Sequence, residues 1–180
     1  MSEIARLGQY PTAVWVAEAL VARHFGGLDG SDFVVEPACG PGAFLCAIPR
    51  EVPAIGIDID PKMVSIAREV TGREVYQGDF RTLELHMEPT VILGNPPFKM
   101  DLVDGFLDRA YRLLPEGGRC GLILPSCAFQ TASRVAGYAE KWSLQQEMIP
   151  RNIFPKLSLP LVFAIFSKDR RRTLVGFALY

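Results

Sequence analysis

Short apolar runs of strand length alternate along most of this chain with segments of helical periodicity. Residues 61–70 and 103–114 place apolar side chains three and four positions apart, as amphipathic helices do. Because parallel strands need a long and usually helical crossover, the alternation predicts βαβ units in a mostly parallel sheet with helices on both faces. Five strands of this core are predicted at residues 33–36, 54–58, 74–77, 90–94 and 119–124.

The two ends of the chain depart from this alternation. Residues 12–25 form an amphipathic segment ahead of the first strand, and Thr12 is predicted to cap it as a helix. Near the other end, two strand-like runs at 144–149 and 161–167 are joined by residues 150–160 with no helix between them. They predict a terminal antiparallel hairpin. No linker or repeat interrupts residues 1–180, so one domain is expected, with residues 1–30 completing its ligand site.

Composition and charge exclude several classes of protein. Hydrophobic residues make up 49% and charged residues 22% of 180 residues, and no apolar run has the roughly 18 residues of a membrane span. The first residues lack a signal-peptide pattern, so a cytoplasmic location is expected. Four cysteines without a CxxC pair and two histidines predict neither a metal site nor a disulfide framework. A net charge of −1 gives no support to a nucleic-acid partner.

Ligands of open parallel sheets bind at the carboxyl ends of the strands, so a ligand site is expected in the loops that follow strands one to four. Residues 36–44, Glu-Pro-Ala-Cys-Gly-Pro-Gly-Ala-Phe, form the glycine loop, whose two glycines permit close backbone approach to a ligand, although a simple tight turn is the alternative. The loop is not the GxGxxG fingerprint, because Leu45 replaces the third glycine. Asp58 follows Glu36 by 22 positions, near the roughly 20-residue interval of a ribose-binding carboxylate. Asp60 is its rival, but it precedes Pro61 and suits a helix cap better.

Two further loops carry groups suited to a planar ligand. Asp79 and Phe80 follow the third strand. Asp79 can accept a hydrogen bond from an adenine amino group, and Phe80 can cover the adenine ring. The alternative is a simple turn, which Gly78-Asp79 also suits. Asn95-Pro96-Pro97-Phe98, the proline turn, follows the fourth strand. Its prolines remove two backbone donors, so the Asn95 side-chain oxygen and the Pro96 carbonyl can accept both hydrogens of an NH₂ group. Phe98 offers a stacking face; a proline-stiffened surface turn is the alternative.

In this order the four loops resemble the motifs of class I S-adenosylmethionine-dependent methyltransferases of the N6-adenine type. Residues 36–44 resemble EPACGxGxF, and residues 56–60 and 78–80 resemble the second and third motifs. Residues 95–98 resemble the catalytic (D/N)PP(Y/F/W) motif, and the motif order is that of γ-type DNA adenine methyltransferases. The resemblance implies a Rossmann-like α/β methyltransferase fold with a mostly parallel seven-stranded sheet, helices on both faces and a C-terminal antiparallel hairpin. It implies S-adenosyl-L-methionine as the cofactor.

The resemblance also implies a role for each matching position. Asp58 would bind the ribose, Ile59 would pack on the cofactor adenine, and Asp79 with Phe80 would hold its edge and face. The remaining cofactor-binding residues would surround the methionine part of S-adenosyl-L-methionine. They are Tyr10, Thr12, Glu36, Ala38, Cys39, Gly40, Gly42 and Asn95. The catalytic residues would be Asn95, Pro96, Pro97 and Phe98.

The implied substrate is adenine N6 in DNA, with Phe98 stacking on the base. Two other substrates remain possible: adenine in ribosomal or transfer RNA, and the glutamine amide of protein release factors. A further alternative is that the chain is a non-catalytic partner subunit. No separate target-recognition region is evident, so specificity is expected to come from small loops or from a separate partner protein, or to be low. Lys99 with Arg151, Phe154 and Lys156 is expected to form a basic and aromatic rim that contacts the substrate. The triplet at 170–172, three arginines, suits a solvated end better.

Overall fold

A computed structural model of the chain describes residues 10–154, 157–169 and 174–175. The strands form one sheet in the order β3-β2-β1-β4-β5-β7-β6-β8. Their bounds are β1 Val34–Pro37, β2 Ala54–Asp58, β3 Glu74–Gln77, β4 Val91–Gly94, β5 Arg119–Pro125, β6 Ser143–Ile149, β7 Leu161–Ser167 and β8 Leu174–Val175. The helices are α1 Val14–Phe25, α2 Ala43–Ala47, α3 Pro61–Thr71, α4 Met100–Leu113 and α5 Ala132–Lys141, with 3₁₀ turns at Ser126–Phe129 and Arg151–Ile153.

The first five strands run parallel, with β1 between β2 and β4. Their carboxyl ends therefore share one edge of the sheet. Strand β7 then enters between β5 and β6 and pairs antiparallel with both. The predicted mixed sheet with a C-terminal antiparallel hairpin is thus confirmed, and β8 adds a two-residue parallel strand beside β6.

Both faces of the sheet are covered by helices. Val34 belongs to an apolar cluster that includes α1, α2 and α3 residues, whereas Val35 belongs to a second cluster with α4 and Trp142. Because successive strand residues face opposite sides, a strand covered on both faces has no polar alternation. This is why the central strands are continuous apolar runs. In the described ranges no helix has the length and apolar character needed to cross a bilayer.

Three local features differ from the sequence prediction. The sequence prediction does not include helix α5, which has few large apolar residues and buries only Tyr138. The short helix α2 begins at Ala43, inside the segment that the sequence predicts to be the glycine loop. The predicted cap at Thr12 is wrong: α1 starts at Val14, with Ala13 at the N-cap and no side-chain cap. The Thr12 hydroxyl accepts a hydrogen bond from Asn95 instead.

Candidate active site

A cavity of about 490 Å³ opens where β1, β2, β3 and β4 end. All four loops selected from the sequence border it, together with residues 10–12 ahead of α1. Its lining residues are Tyr10, Pro11, Thr12, Glu36, Ala38, Cys39, Gly40, Pro41, Ala43, Asp58, Ile59, Met63, Ile66, Gly78, Asp79, Phe80, Arg81, Asn95, Pro97, Lys99, Leu102 and Phe106. The parallel order of the strands is what gathers these distant loops at one place.

The glycine loop turns sharply between β1 and α2. Ala38, Gly40 and Gly42 have φ angles of 51°, 52° and 87°. Positive φ is unusual for alanine, and strained backbone of this kind concentrates at ligand sites. Gly42 does not line the cavity; a Cβ there would lie 2.6 Å from Thr71 Cγ2, so its lack of a side chain serves helix packing.

Glu36 holds the start of α2 from inside the core. Its carboxylate accepts hydrogen bonds from the backbone N–H groups of Phe44, at 3.3 Å, and Leu45, at 2.8 Å. Burial raises the pKa of Glu36 from 4.5 to about 8, against the opposing effect of these two donors. Glu36 therefore contributes to the cavity wall mainly by fixing the backbone of the loop.

Asp58 links the glycine loop to the end of β2. Its Oδ2 accepts from Gly40 N at 2.7 Å, and its Oδ1 accepts from Asp60 N at 2.9 Å. Burial raises the pKa of Asp58. Each oxygen keeps a second acceptor site, so the carboxylate can still receive ligand hydroxyls. Asp60 caps α3 by accepting from Lys62 N, as its position before Pro61 predicts.

An apolar wall lies beside Asp58. Ile59 is 68% exposed although it is a large aliphatic residue. Met63 and Ile66 of α3 line the same cavity. The helical spacing of residues 61–70 predicts an amphipathic helix, but it does not distinguish a core contact from a cavity contact. The three side chains together form a surface suited to a flat, weakly polar ring.

The loop after β3 is closed by an ion pair. Arg81 donates to both carboxylate oxygens of Asp79, with Nη2 2.6 Å from Oδ2, and lowers the pKa of Asp79. Sequence reasoning missed Arg81. Phe80 is expected to offer a free ring face to the ligand. In the structure it is only 2% exposed and packs on Phe106, with the ring centroids 5.2 Å apart.

The proline turn is anchored by the segment ahead of α1. Asn95 Nδ2 donates to the Tyr10 carbonyl at 2.7 Å and to Thr12 Oγ1 at 3.1 Å. The carbonyl can only accept, so the NH₂ group and not the oxygen of Asn95 faces it. Asn95 Oδ1 is buried, and no donor among the described residues reaches it. Such an orphaned acceptor is costly in a folded protein and marks a position where a ligand donor fits.

The aromatic ring of the turn already has a partner. The Tyr10 and Phe98 rings stack with centroids 5.5 Å apart and an interplanar angle of 12°. Phe98 also packs against the apolar cluster below α1. A planar group that stacks on Phe98 must therefore displace the Tyr10 ring or enter between the two rings.

The expected basic and aromatic rim is only partly present. Lys99 is exposed and borders the cavity. Phe154, in contrast, is 5% exposed and belongs to the core, because apolar residues 149 and 161 at the hairpin ends enclose it. The expectation of Phe154 on the rim is wrong. Lys156 and the triplet at 170–172 lie outside the described residues, and so does the side chain of Arg151.

Comparison with known proteins agrees with this geometry. Residues 35–122 match the family model of a methyltransferase domain. This stretch, just under half of the chain, is similar to a methyltransferase domain. It contains the glycine loop, Asp58, the Asp79 loop and the proline turn, and so supports S-adenosyl-L-methionine as the cofactor, as predicted.

A curated relative is similar to part of the chain. A type II methyltransferase, M.CvrRI of Paramecium bursaria Chlorella virus XZ-6E, is 32% identical over 68 residues. That stretch is 36% of this chain and 18% of the viral protein. The chain therefore spans less than a fifth of the length of this curated relative.

Solved structures share the fold at low sequence identity. The EcoKI M protein, of a type I restriction enzyme, matches with a TM-score of 0.74 at 17% identity over 89% of this chain and 44% of its own. TrmN from Thermus thermophilus matches with a TM-score of 0.67 at 24% identity, over 86% and 48%. A Listeria monocytogenes protein assigned to the class I S-adenosylmethionine-dependent methyltransferases matches with a TM-score of 0.74 at 14% identity, over 92% and 62%. These likenesses show a Rossmann-like methyltransferase fold.

Proposed function

We propose that the chain is an S-adenosyl-L-methionine-dependent methyltransferase that methylates a planar amino group, the N6 of adenine in DNA. The observation that carries the proposal is the Asn95 side chain, whose Nδ2 is held by two acceptors while its Oδ1 is buried without a donor. An NH₂ group supplies the donor that this oxygen lacks. The adjoining carbonyl of Pro96 would accept the second hydrogen of the same group.

The described residues fit the cofactor along the length of the cavity. Asp58 would receive the ribose hydroxyls, and the wall of Ile59, Met63 and Ile66 would cover the adenine ring. The methionine end would lie along the strained backbone of the glycine loop, near Thr12. The Asp79 carboxylate would accept from the adenine amino group while Arg81 keeps it ionised.

The chemistry follows from positioning and electrostatics. The amino nitrogen of adenine is a poor nucleophile because its lone pair is delocalised into the ring. Acceptance of both N–H hydrogens at Asn95 Oδ1 and the Pro96 carbonyl favours a tetrahedral nitrogen whose lone pair points at the methyl group. When bound, S-adenosyl-L-methionine supplies that methyl group on a sulfonium, whose sulfur departs as a neutral thioether when the C–S bond breaks, and the methylated nitrogen loses one proton to solvent. Pro96 and Pro97 hold the two acceptors in a rigid turn.

DNA is the favoured carrier of the adenine for two reasons. M.CvrRI, which is 32% identical to this chain over 68 residues, is a type II methyltransferase, and the exposed Lys99 beside the proline turn offers a phosphate contact. The base of a duplex would have to be flipped out to reach Asn95. Adenine in RNA is the second candidate, because an rRNA methylase from Streptococcus thermophilus shares the fold with a TM-score of 0.63.

The test is methyl transfer from radiolabelled cofactor to separate pools of DNA, RNA and protein, followed by nucleoside and amino-acid analysis. N6-methyladenine in DNA is the expected product; N6-methyladenosine or methylglutamine moves the activity to the other carriers. Asn95→Ala is expected to abolish transfer and to leave cofactor affinity within a few-fold, because Oδ1 serves the substrate. Full activity of Asn95→Ala would contradict the catalytic role of the proline turn.

A further inference from the structure

The proline turn receives its orientation from a segment 85 residues away in the chain. Asn95 Nδ2 donates to the carbonyl of Tyr10 and to the hydroxyl oxygen of Thr12. We propose that Thr12 is a positioning residue, which fixes the Asn95 amide so that Oδ1 is the acceptor offered to the substrate. The proposal rests on the proposed function, because it gives Thr12 a role in presenting the catalytic amide.

A side-chain amide needs such support because it has two nearly isosteric orientations. The torsion that turns the amide plane is broad and roughly two-fold, so packing alone selects weakly between oxygen and nitrogen. A flipped Asn95 would set its oxygen against the Tyr10 carbonyl, acceptor against acceptor. It would also present NH₂ to a substrate NH₂, donor against donor. Both changes would remove the interaction on which the proposed chemistry depends.

Two acceptors are needed to hold the amide fully. The Tyr10 carbonyl receives one N–H and selects the orientation, but it leaves rotation about that single bond open. Thr12 Oγ1 receives the other N–H and fixes the tilt of the amide plane. The hydroxyl is buried, and α1 does not use it as a cap. The hydrogen bond from Asn95 is therefore the structural role of this hydroxyl.

The resemblance to adenine methyltransferases gives Thr12 a different task, contact with the methionine end of the cofactor. The two roles predict different kinetics. A cofactor contact acts on cofactor affinity, whereas an orienting contact acts on the rate of transfer from the bound state. Thr12→Val removes the hydroxyl with little change in shape, and Thr12→Ser retains it.

The kinetic test compares wild type, Thr12→Val and Thr12→Ser with the substrate that the wild type methylates. For Thr12→Val, kcat is expected to fall about tenfold, the effect of one ordinary hydrogen bond, while the cofactor Kd by calorimetry changes less than about threefold. Thr12→Ser is expected to restore kcat. A weaker cofactor Kd with unchanged kcat at saturation would assign Thr12 to the cofactor and overturn the proposal.

A spectroscopic test needs no activity. Asn95 and Asn152 are the two asparagines of the chain, so ¹⁵N-asparagine labelling gives two side-chain NH₂ groups, which Asn152→Asp assigns. Slow hydrogen exchange is expected for the Asn95 NH₂, with faster exchange and a shifted signal in Thr12→Val and near-wild-type behaviour in Thr12→Ser. An Asn95 signal unchanged in folded Thr12→Val would overturn the proposal. The expected shift in a protein that methylates none of the pools would instead retain the positioning contact and refute the proposed function.

Discussion

At the scale of single residues, two buried carboxylates hold the backbone that surrounds the cavity. Glu36 accepts from the first turn of α2, and Asp58 accepts from the glycine loop and from the start of α3. Neither carboxylate has a basic side chain as its hydrogen-bond partner among the contacts described above. Each is therefore sensitive both to ligand binding and to protonation.

Asp58→Ala is expected to weaken cofactor binding, by at least tenfold in Kd, because it removes the ribose acceptor and the anchor of Gly40 together. Asp58→Asn separates the two effects, since its one amide oxygen can keep the Gly40 contact. Calorimetric titration with the cofactor measures both variants, and Asp60→Asn serves as the control at the helix cap. Unchanged affinity in Asp58→Ala would move the ribose role to Asp60.

The raised pKa of Glu36 predicts a pH-dependent stability. The pKa of Glu36 is near 4.5 in the unfolded chain and about 8 in the fold. At a pH between these two values, Glu36 is protonated in the native state and ionised in the unfolded chain. The free energy of unfolding should therefore decrease as pH rises through this window, with the full penalty above pH 8. Urea unfolding from pH 5 to 9 should show a flatter profile for Glu36→Gln than for wild type or the exposed control Glu116→Gln. Parallel profiles in all three would contradict this assignment.

At the scale of elements, the strands could be predicted and the contacts between distant loops could not. A strand buried on both faces is a continuous apolar run, so β1, β2, β4 and β5 were recognisable within a residue or two. Motif spacing brought Asp58 and Asn95 to one edge of the sheet. The bond from Asn95 to Tyr10 has no sequence signature, since nothing local distinguishes a carbonyl that will meet a side chain 85 positions away. The prediction that Phe154 lies on the rim was wrong for a similar reason, because the sequence of a short loop does not show whether an aromatic ring faces solvent or core.

The packing of β2 against the glycine loop gives a prediction at this scale. A Cβ on Gly56 would lie 2.8 Å from Leu45 Cδ1 and 2.9 Å from Cys39 Sγ. Gly56→Ala should cost about 1–3 kcal/mol of stability, and it should weaken cofactor binding through Cys39. Gly137→Ala in α5, with nothing within 4 Å of its Cβ, should instead stabilise by about 0.5–1 kcal/mol. Chemical denaturation measures the stability of both variants, and calorimetry measures their cofactor affinity. If Gly56→Ala changes neither quantity, the glycine loop accommodates the added Cβ and the prediction is wrong.

At the scale of the whole molecule, the cavity connects residues 10–12 with the ends of four strands, so a bound cofactor ties separate parts of the chain together. Cofactor at about 100 times its Kd should add about 2.7 kcal/mol to the stability of the native state. For a chain of this size, that corresponds to a rise in Tm of about 5–10 °C in a thermal melt. Asp58→Ala should show a much smaller rise, and a cofactor-independent wild-type Tm would contradict the proposed site.

The position of β7 has a consequence for how the chain is made. Strands leave the ribosome in sequence order, but in the sheet β7 lies between β5 and β6. Until residues 161–167 are synthesised, β6 cannot join the sheet and β5 keeps one open edge, with Leu122 and Leu124 in its middle. An open apolar edge is a template for pairing with other chains. The interval between synthesis of β5 and of β7 is therefore the period in which the nascent protein most needs protection by chaperones.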